Sequence, residues 1–283
     1  MRQPLVSTRI GTRFAALRRE GRAGLVAYVM ASDPDHETCA QILAGLSAAG
    51  ADVIELGFPF SDPMADGPSV QRAGQRALKA GGSLRNTMEL VRRFREQDKD
   101  TPLILMGYAN PIESMGYEAF AQAMHESGAD GAIVVDLPPE EDDALRAAFA
   151  KHDLSVIRLA TPTTDANRLT KVLEGASGFL YYVSVAGVTG ANAADAGAVR
   201  DAMERLRRAT DLPIAVGFGV REPEAARAIA ETADAVVIGS AFVDEIGAGT
   251  AHEAGDRVLR RVRLLSEAVR RARDRRDVEG QRA

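Results

Sequence analysis

Short apolar runs rich in β-branched residues recur along the chain, and stretches with helical spacing separate them. The runs lack the alternation of apolar and polar residues that marks a sheet with one face in water. The pattern is therefore typical of parallel strands that are buried on both faces. Eight strands are predicted in this way, at residues 25–30, 53–57, 103–106, 132–136, 155–159, 179–184, 214–217 and 235–238.

Helical patterns follow the predicted strands, and one extra helix at residues 9–19 precedes the first of them. The helices that follow are predicted at residues 36–49, 70–80, 84–97, 117–127, 140–152, 165–174, 198–209, 223–231 and 256–273. Eight strand-then-helix units in succession predict an α/β fold, a (β/α)8 TIM barrel at about residues 24–247. An open doubly wound sheet is the alternative, but Gly217-Phe218-Gly219 lacks the third glycine of a dinucleotide-binding fingerprint.

Composition indicates the cellular compartment and the classes of partner that such a barrel can have. The 283 residues, 46% of them hydrophobic, suffice for one domain over residues 1–283, with a C-terminal helix and basic tail at 256–283. The net charge of -5 speaks against a polyanion partner, and the single Cys39 fits a reducing compartment. The first residues lack a signal peptide's apolar core, and no apolar run approaches the ~18 residues of a membrane span. We therefore expect a soluble, cytoplasmic protein with no membrane partner.

The basic segment at residues 257–276 raises the question of nucleic-acid binding. Its leucines and valines recur at helical spacing, and it has no aromatic residue on which a base could stack. An amphipathic outer helix with a solvated arginine face is therefore favoured, and no nucleic acid is expected as a partner. The end of the chain, from about Arg271, is predicted to fray.

The second predicted strand carries an acid, Glu55, among apolar residues, and a loop with Asp62 and Asp66 follows it. Desolvating a carboxylate in a strand buried on both faces is costly, and that cost is usually tolerated where a raised pKa serves chemistry. The alternative is a carboxylate that backbone donors satisfy. In a barrel, active groups lie at the carboxyl ends of the strands, so Glu55 and Asp66 are the candidate catalytic acids.

Glycines lie at the ends of three successive strands, in the loops at 187–190, 217–220 and 239–241. Backbone N–H groups of such loops can approach an anion closely, which predicts a phosphate site; the alternative is that the glycines only permit tight turns. The four lysines lie in or just after helices, the histidines are scattered, and Cys39 lies in a helix pattern. A Schiff-base aldolase, a metal cluster and a cysteine nucleophile are therefore not expected.

These motifs together resemble the tryptophan synthase α-subunit family. The resemblance rests on the segment Glu55 to Pro63 (ELGFPFSDP) with Asp66-Gly67-Pro68, on YANPI at 108–112, on GVTG at 187–190, and on the glycine-bearing ends at 217–219 and 239–241. It covers about residues 9–246. It implies cleavage of indole-3-glycerol phosphate to indole and glyceraldehyde 3-phosphate, without a metal or a cofactor on this chain. It also implies a β-subunit partner that carries pyridoxal phosphate, in an α2β2 assembly.

The resemblance also implies roles for individual residues. Glu55 would move a proton between the indole C3 and the side-chain hydroxyl, and Asp66 would accept the indole N–H. Asp62 and the Thr189 loop would close over the site and signal to the β subunit. The substrate-binding residues would be Tyr28, Met106, Tyr181, Thr189, Gly190, Phe218, Gly219, Gly239 and Ser240.

Two departures concern the pocket. Tyr28 stands where the family has a phenylalanine, and Gly107 where some members carry a bulkier residue. Two other functions stay open at this point: another phosphate-binding barrel enzyme of amino-acid biosynthesis, and a non-catalytic protein that binds indole ligands.

Overall fold

The computed structural model describes residues 8–184, 193–217 and 219–273. Its strands are all parallel and form one sheet, in the order β5-β4-β3-β2-β1-β9-β8-β7-β6. The strands are β1 (Gly24–Met30), β2 (Val53–Gly57), β3 (Leu103–Gly107), β4 (Gly131–Val134), β5 (Ser155–Val156), β6 (Arg158–Ala160), β7 (Leu180–Val183), β8 (Ile214–Gly217) and β9 (Ala235–Ile238). The first and last members of this order are adjacent in the chain, so the sheet is a nearly closed barrel, and the predicted TIM-barrel class is confirmed.

Helices cover the barrel: the first packs against the apolar residues of its interior through Ile10, Phe14 and Leu17, and the others lie around it. They are α1 (Arg9–Glu20), α2 (His36–Leu46), α3 (Pro68–Lys79), α4 (Leu84–Gln97), α5 (Ala109–Met115), α6 (Tyr117–Ser127), α7 (Asp143–Ala150), α8 (Ala166–Leu173), α9 (Ala193–Ala209), α10 (Pro223–Ala230), α11 (Ser240–Gly247) and α12 (Ala251–Arg271). Polar side chains start several of them. Thr8, Asp35, Ser83 and Asp165 each accept a backbone N–H three residues on, which satisfies an otherwise unpaired donor. In the part of the chain that the structure describes, no helix is long and apolar enough to cross a membrane.

The fifth predicted strand, at residues 155–159, differs from the prediction because it is divided between two neighbours. Its first part, β5, pairs with β4, and its second part, β6, pairs with β7. Ile157 lies between them and donates its N–H to the carbonyl of Ala132 at 3.0 Å. A barrel closes only with a stagger in its register, and this change of partner within one strand provides part of it.

Two short helices, α5 and α11, lie where the sequence predicted only strand ends and turns. The C-terminal helix starts at Ala251 and not at residue 256, and α7 is shorter than the predicted 140–152 because residues 138–141 form a turn. Arg273, just after α12, donates to the carbonyl of Ala230 at 3.0 Å. The described part of the C-terminal segment is therefore fastened to the barrel as far as Arg273, beyond the point where fraying was predicted.

Two apolar layers hold the barrel together. Alternate strand residues fill its interior, among them Val26, Val53, Ile104, Ile133, Ile157, Tyr181, Ala215, Ala235 and Val237. The intervening residues, such as Leu25, Ile54 and Leu105, pack outward against the helices. Because every strand is covered on both sides, its residues are apolar almost throughout, and a carboxylate inside the barrel stands out chemically.

Candidate active site

Glu55 lies in the middle of β2, and its side chain is 1% exposed. In register it stands beside Tyr28 of β1 on one side and Ile104 of β3 on the other. Its Oε2 atom is buried, and no described group hydrogen-bonds to it. Burial, helped by the negative charge of Asp66, raises the pKa of the Glu55 carboxyl from its ordinary 4.5 to about 8. The group is therefore mostly protonated near neutral pH and can act as an acid.

Asp66 reaches the same end of the barrel from the loop between β2 and α3. Its side chain hydrogen-bonds to Tyr108, and the Tyr108 hydroxyl also accepts the backbone N–H of Ala65 at 3.0 Å. Burial raises the pKa of Asp66 from 3.8 to about 6, although the Tyr108 hydrogen bond opposes that rise. At neutral pH Asp66 is therefore mostly ionised while Glu55 is mostly protonated. Two acids in different environments can thus hold opposite roles.

Tyr108 is the residue whose importance the sequence did not reveal. It lies directly after β3 and before α5, and its ring contacts Phe60 of the acid loop with 5.4 Å between centroids. Its hydroxyl and ring together hold residues 60–66 against the barrel mouth. The signal available in the sequence was an aromatic residue at a strand's carboxyl end, but its contact with Asp66 depends on the tertiary fold.

Tyr28 fills the space between the two acids and the neighbouring strands. It is 5% exposed, and burial, together with the charges of Asp66 and Glu55, raises its pKa well above the ordinary value. A Cβ at Gly57 would lie 2.3 Å from the Tyr28 hydroxyl, and a Cβ at Gly239 would lie 3.1 Å from its Cβ and Cδ1 atoms. A side chain at Gly57 would therefore displace the Tyr28 hydroxyl, and one at Gly239 would crowd the tyrosine.

Met106 and Tyr181 also face the barrel interior. Met106 is half-buried and packs against the interior layer, while Tyr181 is 9% exposed and its pKa is raised by burial and by the charge of Glu55. Gly107 does not shape this interior. A Cβ there would lie 2.2 Å from the Phe58 ring, which belongs to the layer between barrel and helices. The difference from family members with a bulkier residue at this position therefore affects the packing of the outer layer.

The predicted phosphate residues lie in the segments after β8 and β9. Gly219 has φ of +65°, a conformation that favours glycine. Ser240 is the first residue of α11, and among the described residues no side chain caps that helix, so its N–H groups are open to an anion. Since β9 pairs with both β8 and β1, and β1 pairs with β2, the segment after β9 lies two strands away from Glu55 and the segment after β8 lies three strands away. Thr189, Gly190 and Phe218 lie outside the described residues.

The remaining candidates do not join the two acids. Asp62 is exposed and accepts a hydrogen bond from Ser61 in the same loop. Within the ranges that the structure describes, no three His, Cys, Asp or Glu side chains are grouped so that they could hold a metal ion. A closed β/α barrel with a desolvated carboxyl and an ionised one at the same mouth is the arrangement of a barrel enzyme that works by acid–base chemistry.

Comparisons with known proteins agree with a barrel enzyme and show to which family it belongs. The family model described as "Tryptophan synthase alpha chain" matches residues 14–272. The tryptophan synthase alpha chain of Caulobacter vibrioides is 56% identical over 271 residues, which cover 95% of this chain and 98% of the relative. The crystal structure of the alpha subunit from Legionella pneumophila superimposes with a TM-score of 0.86 at 39% identity, covering 93% and 98% of the two chains. For tryptophan synthase of Mycobacterium tuberculosis the TM-score is 0.85 at 34% identity, with 93% and 98% covered.

The chain belongs to the tryptophan synthase alpha chain family. It is accordingly a lyase of tryptophan biosynthesis that cleaves indole-3-glycerol phosphate, which decides between this activity and the two alternatives that the sequence left open. An alpha chain is one of two kinds of subunit in tryptophan synthase, so membership also implies a beta-subunit partner.

Proposed function

We propose that Glu55 and Asp66 together carry out the carbon–carbon cleavage, with Glu55 moving the proton and Asp66 holding the indole nitrogen. The observation that carries this proposal is the contrast between the two acids: Glu55 has its pKa raised to about 8, and Asp66 to only about 6. A general acid works best when its pKa lies near the working pH. Glu55 meets that condition, and the ionised Asp66 can stabilise positive charge nearby.

The reaction then runs in two proton transfers. The Glu55 carboxyl gives its proton to C3 of the indole, and the resulting positive charge on the ring nitrogen is stabilised by the Asp66 carboxylate, which accepts the N–H. The Glu55 carboxylate next takes the proton of the side-chain hydroxyl, and an aldehyde forms as the bond to C3 breaks. The electron pair of that bond returns to the ring and neutralises the nitrogen. Glu55 ends protonated, as it began, and indole and glyceraldehyde 3-phosphate are the products.

We propose that the phosphate of the substrate binds at the segments after β8 and β9. The backbone N–H groups near Gly219 and at the start of α11 would hold it, because helix N-termini carry partial positive charge. Tyr28, Met106 and Tyr181 would line the space between this phosphate and the acids, and Phe218, Thr189 and Gly190 belong to the same proposal. The binding energy of the phosphate would then fix the reacting carbon near Glu55.

The partner proposal rests on the exposed acid loop. Met64 in that loop is 81% exposed, and methionine is enriched at protein interfaces. A beta subunit that covers Met64 would favour a closed loop, exclude water from Asp66 and receive the indole directly. We propose an α2β2 assembly in the cytoplasm, in which pyridoxal phosphate belongs to the beta subunit and this chain uses no cofactor.

An assay of indole release from indole-3-glycerol phosphate tests these proposals. The isolated chain should release indole slowly, and saturating beta subunit from the same source should raise kcat; a tenfold gain needs only about 1.4 kcal/mol of preferential binding to the closed form. Equal rates with and without the beta subunit, and no complex in sedimentation, would refute the partnership. Absence of indole release under both conditions would refute the reaction itself.

A further inference from the structure

A cluster of polar side chains outside the barrel mouth joins three segments that the proposed function uses separately. It consists of Ser69 in the first turn of α3, Arg72 one turn later, Arg221 after β8, and Asp244 on α11. We call these four residues the Ser69 cluster. The Ser69 hydroxyl donates to Asp244 Oδ2 at 2.9 Å, and Arg221 Nη1 lies 2.8 Å from the same oxygen.

The cluster has a defined geometry because its central hydroxyl is fully used. Ser69 is 6% exposed and accepts from Arg221 Nη2 at 3.1 Å and from Arg72 Nη2 at 3.2 Å while it donates to Asp244. A hydroxyl has one donor and two acceptor lone pairs, so none is left over. Arg72 Nη2 also lies 3.2 Å from Asp244 Oδ1. Burial alone would raise the pKa of Asp244, but the hydrogen bonds from Arg221, Ser69 and Arg72 hold it below its ordinary value.

The members of the Ser69 cluster lie close in the chain to residues of the proposed site. Ser69 follows Asp66 by three residues, with only Gly67 and Pro68 between them. Asp244 lies one helical turn after Ser240, on the helix whose N-terminus is the proposed phosphate site.

Other contacts connect the same segments. Arg221 follows Gly219 by two residues, so the Ser69 cluster also connects to the proposed phosphate segment after β8. Val243, the neighbour of Asp244, packs against Ala73 and Ala77 of α3, so α3 and α11 already form one packed unit.

We propose that Asp244 is a positioning residue, which holds the start of α3, and with it Asp66, against the two phosphate-binding segments. This inference rests on the proposed function of Asp66 and of the phosphate segments. Phosphate binding would fix the positions of Gly219 and of the start of α11. Through the Ser69 cluster it would then also fix the end of the loop that carries Asp66. Energy from the non-reacting end of the substrate would thus be used to orient a group at the reacting end.

The test is a double-mutant cycle with Asp244→Asn and Ser69→Ala, measured as indole release by the complete chain with its beta subunit. Asp244→Asn should lower kcat about tenfold, since small misplacements of positioning groups are costly in rate. The KM for substrate and the binding of glycerol 3-phosphate should change little. Ser69→Ala should lower kcat in the wild-type background but add almost nothing in the Asp244→Asn background, because the two residues act through one contact.

Glu37→Gln is the matched control, because it breaks the exposed two-bond ion pair of Glu37 with Arg93, which joins α2 to α4 and shares no residue with the Ser69 cluster or with the proposed site. That variant should keep both kcat and KM. A rise in KM without loss of kcat would overturn the proposal, since Asp244 would then serve phosphate binding alone. Additive effects of the two substitutions, or unchanged kcat in Asp244→Asn, would also overturn it while leaving the proposed function intact. A wild-type chain that releases no indole would refute the proposed function and this inference with it.

Discussion

Two buried acids lie close together in the chain, Asp52 directly before strand β2 and Glu55 in its middle, and their surroundings differ. At the amino end, Asp52 is 2% exposed and fully paired: it accepts two hydrogen bonds from Arg22, at 2.8 and 3.0 Å, and the backbone N–H of Leu25 at 3.0 Å. Three positions later, Glu55 is 1% exposed, and its Oε2 atom has no partner among the described groups. Within four residues the chain thus holds a carboxylate that is fully hydrogen-bonded and another whose Oε2 atom no described group satisfies.

The paired arrangement recurs at the amino end of the barrel. Asp130 directly precedes β4 and accepts the N–H of Leu103, at the start of the neighbouring strand, at 2.8 Å. Asp234 directly precedes β9 and accepts the N–H of Ile214 in the same way at 2.9 Å. Each aspartate satisfies a backbone donor at the start of the neighbouring strand. These three acids therefore tie adjacent strands together.

The comparison teaches that a buried acid is informative only together with its partners. At the amino end of the barrel, arginines and backbone donors compensate the loss of water, so burial strengthens the fold. At the carboxyl end the compensation for Glu55 is incomplete, and the protein keeps the group neutral by raising its pKa. Unfavourable burial of this kind is retained where the chemistry uses it.

The largest expected effect is that of Glu55→Gln. The substitution keeps the shape of the side chain but removes the acid, so kcat should fall ~10²- to 10⁴-fold while substrate still binds. The free energy of unfolding should not decrease, because no ion pair or hydrogen bond of Oε2 is lost. Indole release and chemical denaturation measured on the same preparation check both parts. Near wild-type turnover in this variant would contradict the assignment of Glu55.

Asp130→Ala should lower the free energy of unfolding and leave kcat unchanged, the opposite of Glu55→Gln. Asp130 accepts from Arg95 at 2.7 Å and from Arg9 at 2.8 Å, and Arg95 is 9% exposed. Removing one partner of a buried ion pair typically costs about 3–5 kcal/mol. Chemical denaturation should show a loss of that order, with kcat of the folded protein unchanged. If kcat fell as far as in Glu55→Gln, the division between the two ends of the barrel would be wrong.

Asp66→Asn tests the second acid at the carboxyl end. The amide keeps the shape but loses the charge, so kcat should fall about ten- to a hundredfold, more than binding weakens. Tyr108→Phe is the sharper companion variant, since it leaves the charge in place and removes only the hydroxyl that holds the loop. It should cost less than Asp66→Asn in steady-state kinetics. A rise in KM alone for Asp66→Asn would make Asp66 a residue that positions the substrate.

Counted per pH unit, the smallest expected effect is on the pH dependence of stability. Because the pKa of Glu55 is about 8 in the folded protein against 4.5 ordinarily, the folded state binds more protons between these values. Its contribution to stability is present at low pH and is lost as the pH rises through this window, with a slope of at most about 1.4 kcal/mol per pH unit. Denaturation of wild type and Glu55→Gln at several pH values measures this. Identical slopes would show that Glu55 titrates normally.

Much of the barrel could be predicted from the sequence because strand and helix periods are properties of single segments. The runs at 103–106 and 214–217 are apolar on both faces, which is typical of a sheet covered on both sides. Two helices were missed. Helix α5 has seven residues, too few for a periodic pattern to stand out, whereas α11 has eight and was missed although α8 and α10, of the same length, were predicted.

The sequence by itself determined the order of strands and helices, the position of Glu55 within a buried strand, and the motifs that mark the family. Only the tertiary structure decided that strand five is shared between two neighbours, that Tyr108 holds the loop of Asp66, and that Asp52 is paired while Glu55 Oε2 has no partner among the described groups. The reason is physical. A segment carries its own periodicity, but the desolvation and hydrogen bonding of a carboxyl depend on atoms that distant segments bring to it.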